Sequence, residues 1–288
     1  MISTMKLEEY ALRAMTDDGA FRAIALCATK TAQAIIDVQK AAGLAAHLLG
    51  ELVAGTILVR ETMAPNYRVQ GIVAGAKGEM ILAADSFPDG GTRGLLRLPA
   101  GEKELCFRHL RKLQVMRTLA TGEPQQGLVE VPSAGDMSQA LMAYMTYSEQ
   151  VATILAVGCV MQDEHVLAAG GYLVQLLPEV EREALGHMTE RLASLRSIDE
   201  LLLNTGADPA NLMNILLHDI PYTELEKRPL GFNCRCSTAR MLASLATIAR
   251  KDIEEMIDEG AVLEINCDFC KKEYRISPSQ LRGLLVKT

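Results

Sequence analysis

The stretch Phe232-Asn233-Cys234-Arg235-Cys236-Ser237, with 30 residues between Cys236 and the second group Cys267-Asp268-Phe269-Cys270, decides how the C-terminal end of the chain folds. Zinc in a closed site takes four soft ligands in a tetrahedron, and thiolates at about 2.3 Å supply them without leaving a position for substrate. CxxC at a knuckle between two strands is a common half-site. CxC is more restrictive, because two sulfurs must converge over one intervening residue. The two together point to one zinc ion on Cys234, Cys236, Cys267 and Cys270, with Arg235, Lys271 and Lys272 beside the ligands to offset the surplus charge of four thiolates. Ser237 can cap a helix running to about residue 248, and a second helix ends near Gly260. A strand over 262–266 delivers Cys267, the chain returns through 273–276, and Ser277-Pro278 opens a closing helix.

A purely structural zinc site accounts for these four residues, but their pairing admits a second reading. Bonds from Cys234 to Cys236 and from Cys267 to Cys270 would each close a tiny loop and hold almost nothing together on the loop-entropy argument. A bond from Cys236 to Cys267 would instead staple the segment shut. In the first case oxidation only subtracts the metal, worth roughly 10–16 kcal/mol of apparent folding free energy in small four-ligand domains. A segment of about 55 residues has little core to set against that loss. A redox switch therefore requires bonds within the pairs.

Upstream of the cysteines, residues 221–229 read as a proline-bracketed connector. Before it, Val180, Leu185, Met188, Leu192, Leu195, Ile198 and Leu202 recur every three to five residues among charges, the pattern of one amphipathic helix over 179–203 that Gly206 stops. Asp208-Pro209 starts a short helix to about residue 218, an N-cap side chain before a ring already set to helical φ. If the cysteine domain is released, the apolar face of residues 179–203 is the neighbouring surface it uncovers, and those seven residues are the candidate client-binding set. The 14 methionines suit promiscuous binding, although core packing explains most of them.

The N-terminal part, 1–178, reads as a mixed helix and antiparallel-sheet domain. Residues 20–59 are rich in Ala, Leu and Ile at helical spacing and predict two helices. Short β-prone runs follow at 68–74 and 80–84, then at 113–119 and 126–131, with turns at Gly75, Gly78 and Pro88-Asp89-Gly90-Gly91. A helix over 137–150 and strands over 152–161 and 165–175 close the domain near Pro178. Gly170-Gly171 predicts a bend or bulge. The fold class is α+β: an N-terminal domain (1–178), a helical linker (179–231) and a small four-cysteine zinc domain (232–288).

Composition narrows the function. The net charge is −7 with a pI near 5.4, and residues 179–233 carry 10 acidic side chains against 5 basic. Nonspecific nucleic-acid binding needs clustered Lys and Arg, so neither nucleic acid nor a polyanionic partner is expected. No uninterrupted apolar run reaches the ~18 residues of a bilayer span, and residues 1–15 mix acids and bases unlike a signal or transit peptide. The expectation is a cytoplasmic protein without a membrane partner. An odd total of seven cysteines fits a reducing compartment. Cys27, Cys106 and Cys159, each among apolar neighbours, read as buried and inert. The five histidines show no ligand or triad spacing, Gly75-Ala76-Lys77-Gly78 is too short for a phosphate loop, and no catalytic constellation is present. The chain is not expected to be an enzyme.

These residues carry a resemblance. Phe232 to Ser237, Cys267 to Cys270 with Tyr274 following, Tyr147-Ser148-Glu149-Gln150, the run from Gly170 to Pro178 and Thr92-Arg93-Gly94 resemble, in order, signatures of the 33-kilodalton heat-shock protein family of redox-regulated holdase chaperones. The resemblance spans nearly the whole chain, and departs from the family's glycine-proline-rich turn only between Ala74 and Met80. It implies zinc on the four cysteines in a reduced, inactive state. It further implies two disulfides with zinc release in an oxidised, active one, which the switch argument takes as Cys234 with Cys236 and Cys267 with Cys270. ATP-independent binding of unfolded client proteins in the bacterial cytoplasm and homodimerisation when oxidised are implied as well. The competing expectation is a zinc-ribbon interaction or nucleic-acid-binding protein whose zinc is purely structural.

Overall fold

The computed structural model describes residues 9–118, 122–134, 136–178 and 180–285. The chain divides into two compact units, Met1–Asn233 and Cys234–Thr288.

The first unit opens with a hairpin, β1 (Tyr10–Thr16) and β2 (Phe21–Cys27), and β2 lies within the stretch 20–59 whose pattern predicts helix. The reason is that β2 is buried on both faces: Ile24 and Leu26 enter one core, Ala23, Ala25 and Cys27 another. A strand covered on both sides shows no polar alternation, and its alanines imitate a helix. The two helices are α1 (Thr29–Gln39) and α2 (Gly43–Thr62).

Next come β3 (Arg68–Ala74), β4 (Met80–Ser86), β5 (Gly91–Leu96), β6 (Lys112–Thr118), β7 (Pro124–Glu130), α3 (Met137–Tyr147), β8 (Thr153–Gln162) and β9 (His165–Leu176), all but the unpredicted β5 close to the predicted runs. Then follow α4 (Arg182–Ala193), α5 (Ile198–Asn204), α6 (Pro209–Leu216), β10 (Tyr222–Pro229) and the short β11 (Gly231–Phe232). The strands form two sheets, ordered β10-β1-β2-β9-β8 and β11-β5-β4-β3-β6-β7, antiparallel throughout except where β11 lies parallel to β5.

Between these sheets runs α2, touching β3 and β4 of one and β8 and β9 of the other. Its apolar residues surround the axis, as a helix covered on all sides requires, and Leu49, Leu52, Val53, Ile57 and Leu58 are fully buried. Among the described residues it is the one helix long and apolar enough to cross a bilayer, and 78% of that window is buried in the fold. In the second sheet, the buried Asp85 carboxylate accepts from Arg68 (2.7–2.9 Å) and Arg93 (2.8–2.9 Å), tying β3, β4 and β5.

Gly170-Gly171 makes no bend or bulge, and the ladders of β9 with β2 and with β8 pass through both residues in register. These glycines serve close approach. A Cβ on Gly170 would lie 2.3 Å from the Leu26 carbonyl, and one on Gly171 2.3 Å from that of Ala156.

The outer face of the first sheet is covered by α4, α5 and α6 through Met188, Leu201, Leu202, Leu212, Met213 and Leu216. The single helix expected over 179–203 is broken: Ser194 ends α4, and Ser197 caps α5 by accepting from the Glu200 amide. Asp208 accepts from the Ala210 amide with Pro209 behind it, as read from the sequence, and also takes a hydrogen bond from Tyr10 Oη (2.8 Å). The expected connector at 221–229 is a strand, β10, on the edge of β1. Its charges hid its period.

The second unit holds α7 (Thr238–Leu245), α8 (Arg250–Asp258), β12 (Leu263–Asn266), β13 (Glu273–Ile276) and α9 (Pro278–Leu285). Its core is small: Leu245, Ile253, Ile257, Ile276 and Leu281 are its buried apolar cluster.

Candidate metal centre

Two turns bring the four cysteines together. The first lies just before α7, where Ser237 accepts from the Arg240 amide (3.3 Å) and Arg240 Nη1 donates to the Arg235 carbonyl (2.7 Å). Cap and guanidinium thus fix the Cys234-Arg235-Cys236 backbone. The second is the knuckle between β12 and β13. The Cys267 amide donates to the Lys272 carbonyl (2.9 Å) and the Lys271 amide to the Cys267 carbonyl (2.8 Å), with Lys271 at a positive φ of 58°. Lys271 Nζ closes the turn on the Asp268 carbonyl (2.7 Å).

All four Sγ atoms lie within 4.8 Å of one another. Four thiolates around zinc at about 2.3 Å would stand about 3.8 Å apart, and two of the separations here are 3.7 Å (Cys234 to Cys267) and 3.4 Å (Cys236 to Cys270). Four free sulfurs with no oxygen among them form the donor set that suits zinc. The residues therefore fit the metal. Both of these separations join one cysteine of each pair and all four sulfurs lie within 4.8 Å of one another, so bonds within and between pairs both start from sulfurs already in proximity.

Tyr274 Oη donates to Cys236 Sγ (2.9 Å). Tyr274 and Ile276 point inward on β13, and pairing of Tyr274 with Ile265 sets the ring beneath the sulfurs. Burial raises the Cys236 thiol, but hydrogen bonds from Tyr274 and the other sulfurs outweigh it and bring it to about 7. Burial and the neighbouring sulfurs push Cys270 to about 12. Lys272 Nζ lies 5.5 Å from the centre of the Tyr274 ring. The hydroxyl's role was invisible in the sequence, since it depends on strand register.

The seven linker positions form one face, and that face is covered. Met188 and Leu202 are buried against the first sheet, Val180, Leu192, Leu195 and Ile198 pack on the same cluster, and Leu185 is 40% exposed. A groove of about 470 Å³ runs beside α4, lined by Phe21, Ile154, Val174, Leu185, Met188 and Leu192 among others.

Of the single cysteines, Cys27 and Cys159 are buried as expected, and burial pushes the Cys159 thiol to about 12. Cys106 is only half-buried, because it caps a short helical turn, Phe107–His109, rather than entering the core. His47 has partners at both ring nitrogens, the Cys159 carbonyl at Nδ1 (2.8 Å) and Glu51 Oε1 at Nε2 (3.3 Å).

The chain matches the family described as Hsp33 protein over residues 9–277. It is 30% identical to the 33 kDa chaperonin of Syntrophotalea carbinolica over 97% of this chain and 100% of that one. It is 31% identical to that of Shouchella clausii, covering 97% and 98%. The crystal structure of the 33 kDa chaperonin from Thermotoga maritima superposes with a TM-score of 0.80 at 22% identity, over 96% of this chain and 98% of that one, a likeness of fold. By a profile match across nearly all of its length, and by relatives alike from end to end, the chain belongs to the Hsp33 protein family.

Proposed function

We propose that this protein is a redox-regulated, ATP-independent holdase chaperone of the cytoplasm, silent while its four cysteines bind zinc and active once they are oxidised. The observation that carries the reading is the cluster of four sulfurs at tetrahedral spacing in a unit with so small a core, in a chain of the Hsp33 family. Bound to Cys234, Cys236, Cys267 and Cys270, zinc would cross-link the two turns and supply much of the unit's folding free energy.

Oxidation removes that support. Each pair of thiolates, Cys234 with Cys236 and Cys267 with Cys270, would give two electrons to one peroxide, which takes two protons from solvent and leaves as two waters, and the sulfurs form one disulfide. Disulfide sulfurs are no longer thiolate ligands, so the ion is lost. Neither bond spans the two turns. The linker face built from Val180, Leu185, Met188, Leu192, Leu195, Ile198 and Leu202 then serves clients as α4 and α5 leave the sheet, and exposed apolar surface accounts for dimerisation of the oxidised form. No step uses a nucleotide or turns over a substrate.

The test is light scattering of a chemically unfolded client diluted into zinc-loaded reduced protein or peroxide-treated protein. Suppression by the oxidised form alone is expected. Equal failure of both forms would leave the zinc structural. Peptide mapping of the oxidised chain should find the two bonds within the pairs, and a bond between pairs would contradict the switch.

A further inference from the structure

We infer that β10 is a removable cover strand, and that the edge of β1 beneath it receives extended segments of unfolded polypeptide by antiparallel strand addition. The inference rests on the redox-switched chaperone reading and gives that reading a second client surface, distinct from α4.

The two strands differ in how they are held. In β1, Ala11, Leu12, Ala14 and Thr16 are buried, whereas β10 buries none of its eight residues. Tyr222, half-buried at its start, packs on the core, while Leu225 is exposed. Besides the backbone ladder β10 keeps Arg13 with Glu226 (3.1 Å), Arg228 with Glu61 (3.1 Å) and the Pro88 carbonyl (2.7 Å), Thr223 with Asp17 (2.9 Å) and Tyr222 with Asn214 (2.7 Å). Apart from Arg228 on the fully buried Glu61, whose separation costs more, these are partly exposed contacts that contribute little each, and the ladder slips register between Arg13 and Ala14.

What β10 displays is what protects a sheet edge from other chains: Glu224, Glu226, Lys227, Arg228 and a closing Pro229. In β1, Tyr-Ala-Leu-Arg-Ala-Met-Thr has one charge and no proline. Uncovered, it is an edge that pairs with any extended backbone, which suits a chaperone that must accept many sequences. The cover is also tied to the sensor. Beyond Pro229 the chain is held by the Leu230 amide on the Glu9 carbonyl (2.9 Å), the two-residue pairing of β11 with β5 and the Asn233 amide on the Thr92 carbonyl (2.9 Å), and the next residue is Cys234.

Charge selects among segments. The buried Nε of Arg13 has no partner even with β10 in place, and Arg13 adds to the positive field on Arg22 and Arg60. Removing β10 takes Glu226 away from Arg13. The edge therefore favours an extended segment that places a carboxylate where Glu226 stands.

The test locks the cover in the full-length chain. Met15 and Thr223 are ladder partners, and antiparallel partners stand about 4.5–5.5 Å apart, within disulfide reach. Met15→Cys with Thr223→Cys, oxidised until the native cysteines are disulfide-bonded and zinc is released, should lose suppression of client aggregation, while each single variant keeps it. A locked protein that protects as well as the unlocked one overturns the inference but leaves the chaperone reading standing. Failure of the unlocked oxidised protein removes both. Should the double variant misfold, a synthetic peptide of residues 222–229 decides on the native chain: it should bind the oxidised form and compete with client, less well when it carries Glu226→Arg. Binding to neither form, or no loss on reversing that charge, overturns the inference.

Discussion

Tyr274 acts on the sulfur cluster through one proton, that of the hydroxyl it donates to Cys236 Sγ. Tyr274→Phe keeps the ring on β13 and removes the donor. By analogy with other groups that hydrogen-bond a metal ligand, zinc affinity should fall roughly 10–100-fold, read by competition with a chromogenic chelator. Unchanged affinity would assign the tyrosine to packing alone. The four-cysteine cluster was legible because cysteine spacing is itself the chemistry, whereas the tyrosine's part emerges only when β12 and β13 are in register. His47 is a second residue with a measurable signature. Hydrogen bonding to Glu51, against the opposing effect of burial, raises its pKa to about 9 from an ordinary value near 6.5. A raised histidine stabilises the fold fully below about pH 6.5, and that contribution is lost as pH rises through about 9. His47→Gln should flatten urea-denaturation stability across that window, and an unchanged slope would mean the imidazolium is not held by the fold.

At the scale of elements, a missing side chain seats α5. Above Gly158 on β8 a Cβ would lie 2.6 Å from Asp199 Oδ1, 3.2 Å from Leu202 Cδ1 and 3.3 Å from Ile198 Cγ2. Gly158→Val should push α5 from the sheet while leaving the cysteines untouched. On the proposed function the reduced, zinc-loaded variant should already suppress client aggregation. If it is as silent as the parent, docking of α5 is no part of the switch. Elements with one wet face or a clear cap were readable: β3, α3, the start of α6 at Asp208 and the start of α7 at Ser237. Those misread share a cause, the absence of contrast. β2 is apolar on both sides, β10 is polar along its length, and the break between α4 and α5 turns on Ser197 inside an otherwise continuous apolar stripe.

For the whole molecule, the division at Asn233 and Cys234 predicts how it responds to metal removal. Stripping zinc from the reduced protein with a strong chelator should abolish amide protection in β12 and β13, whose unit has the small core, while β2, β9 and α2 keep theirs, as hydrogen exchange by mass spectrometry can read. Protection retained in both hairpin strands would mean the second unit stands without its metal, and oxidation could not act by unfolding it. The α+β class and the cysteine-bearing end were legible from composition and spacing. What the sequence could not convey was that α4, α5, α6 and β10 belong to the first unit's packing: the apolar face of the helices says that it is covered but not by what, and β10 carries too little apolar pattern to show its place.

The position of α2 between the two sheets has a consequence for synthesis. Of the strands that enclose it, β3, β4, β8 and β9 all follow it in the chain, and the last ends at Leu176. Translation at about 5–20 residues per second needs roughly 6–23 s to make that cover once Thr62 has been added. For that interval the nascent protein carries a 20-residue apolar helix that is only partly covered, so on the proposed function a protein that shelters others passes through a stage at which it needs shelter itself.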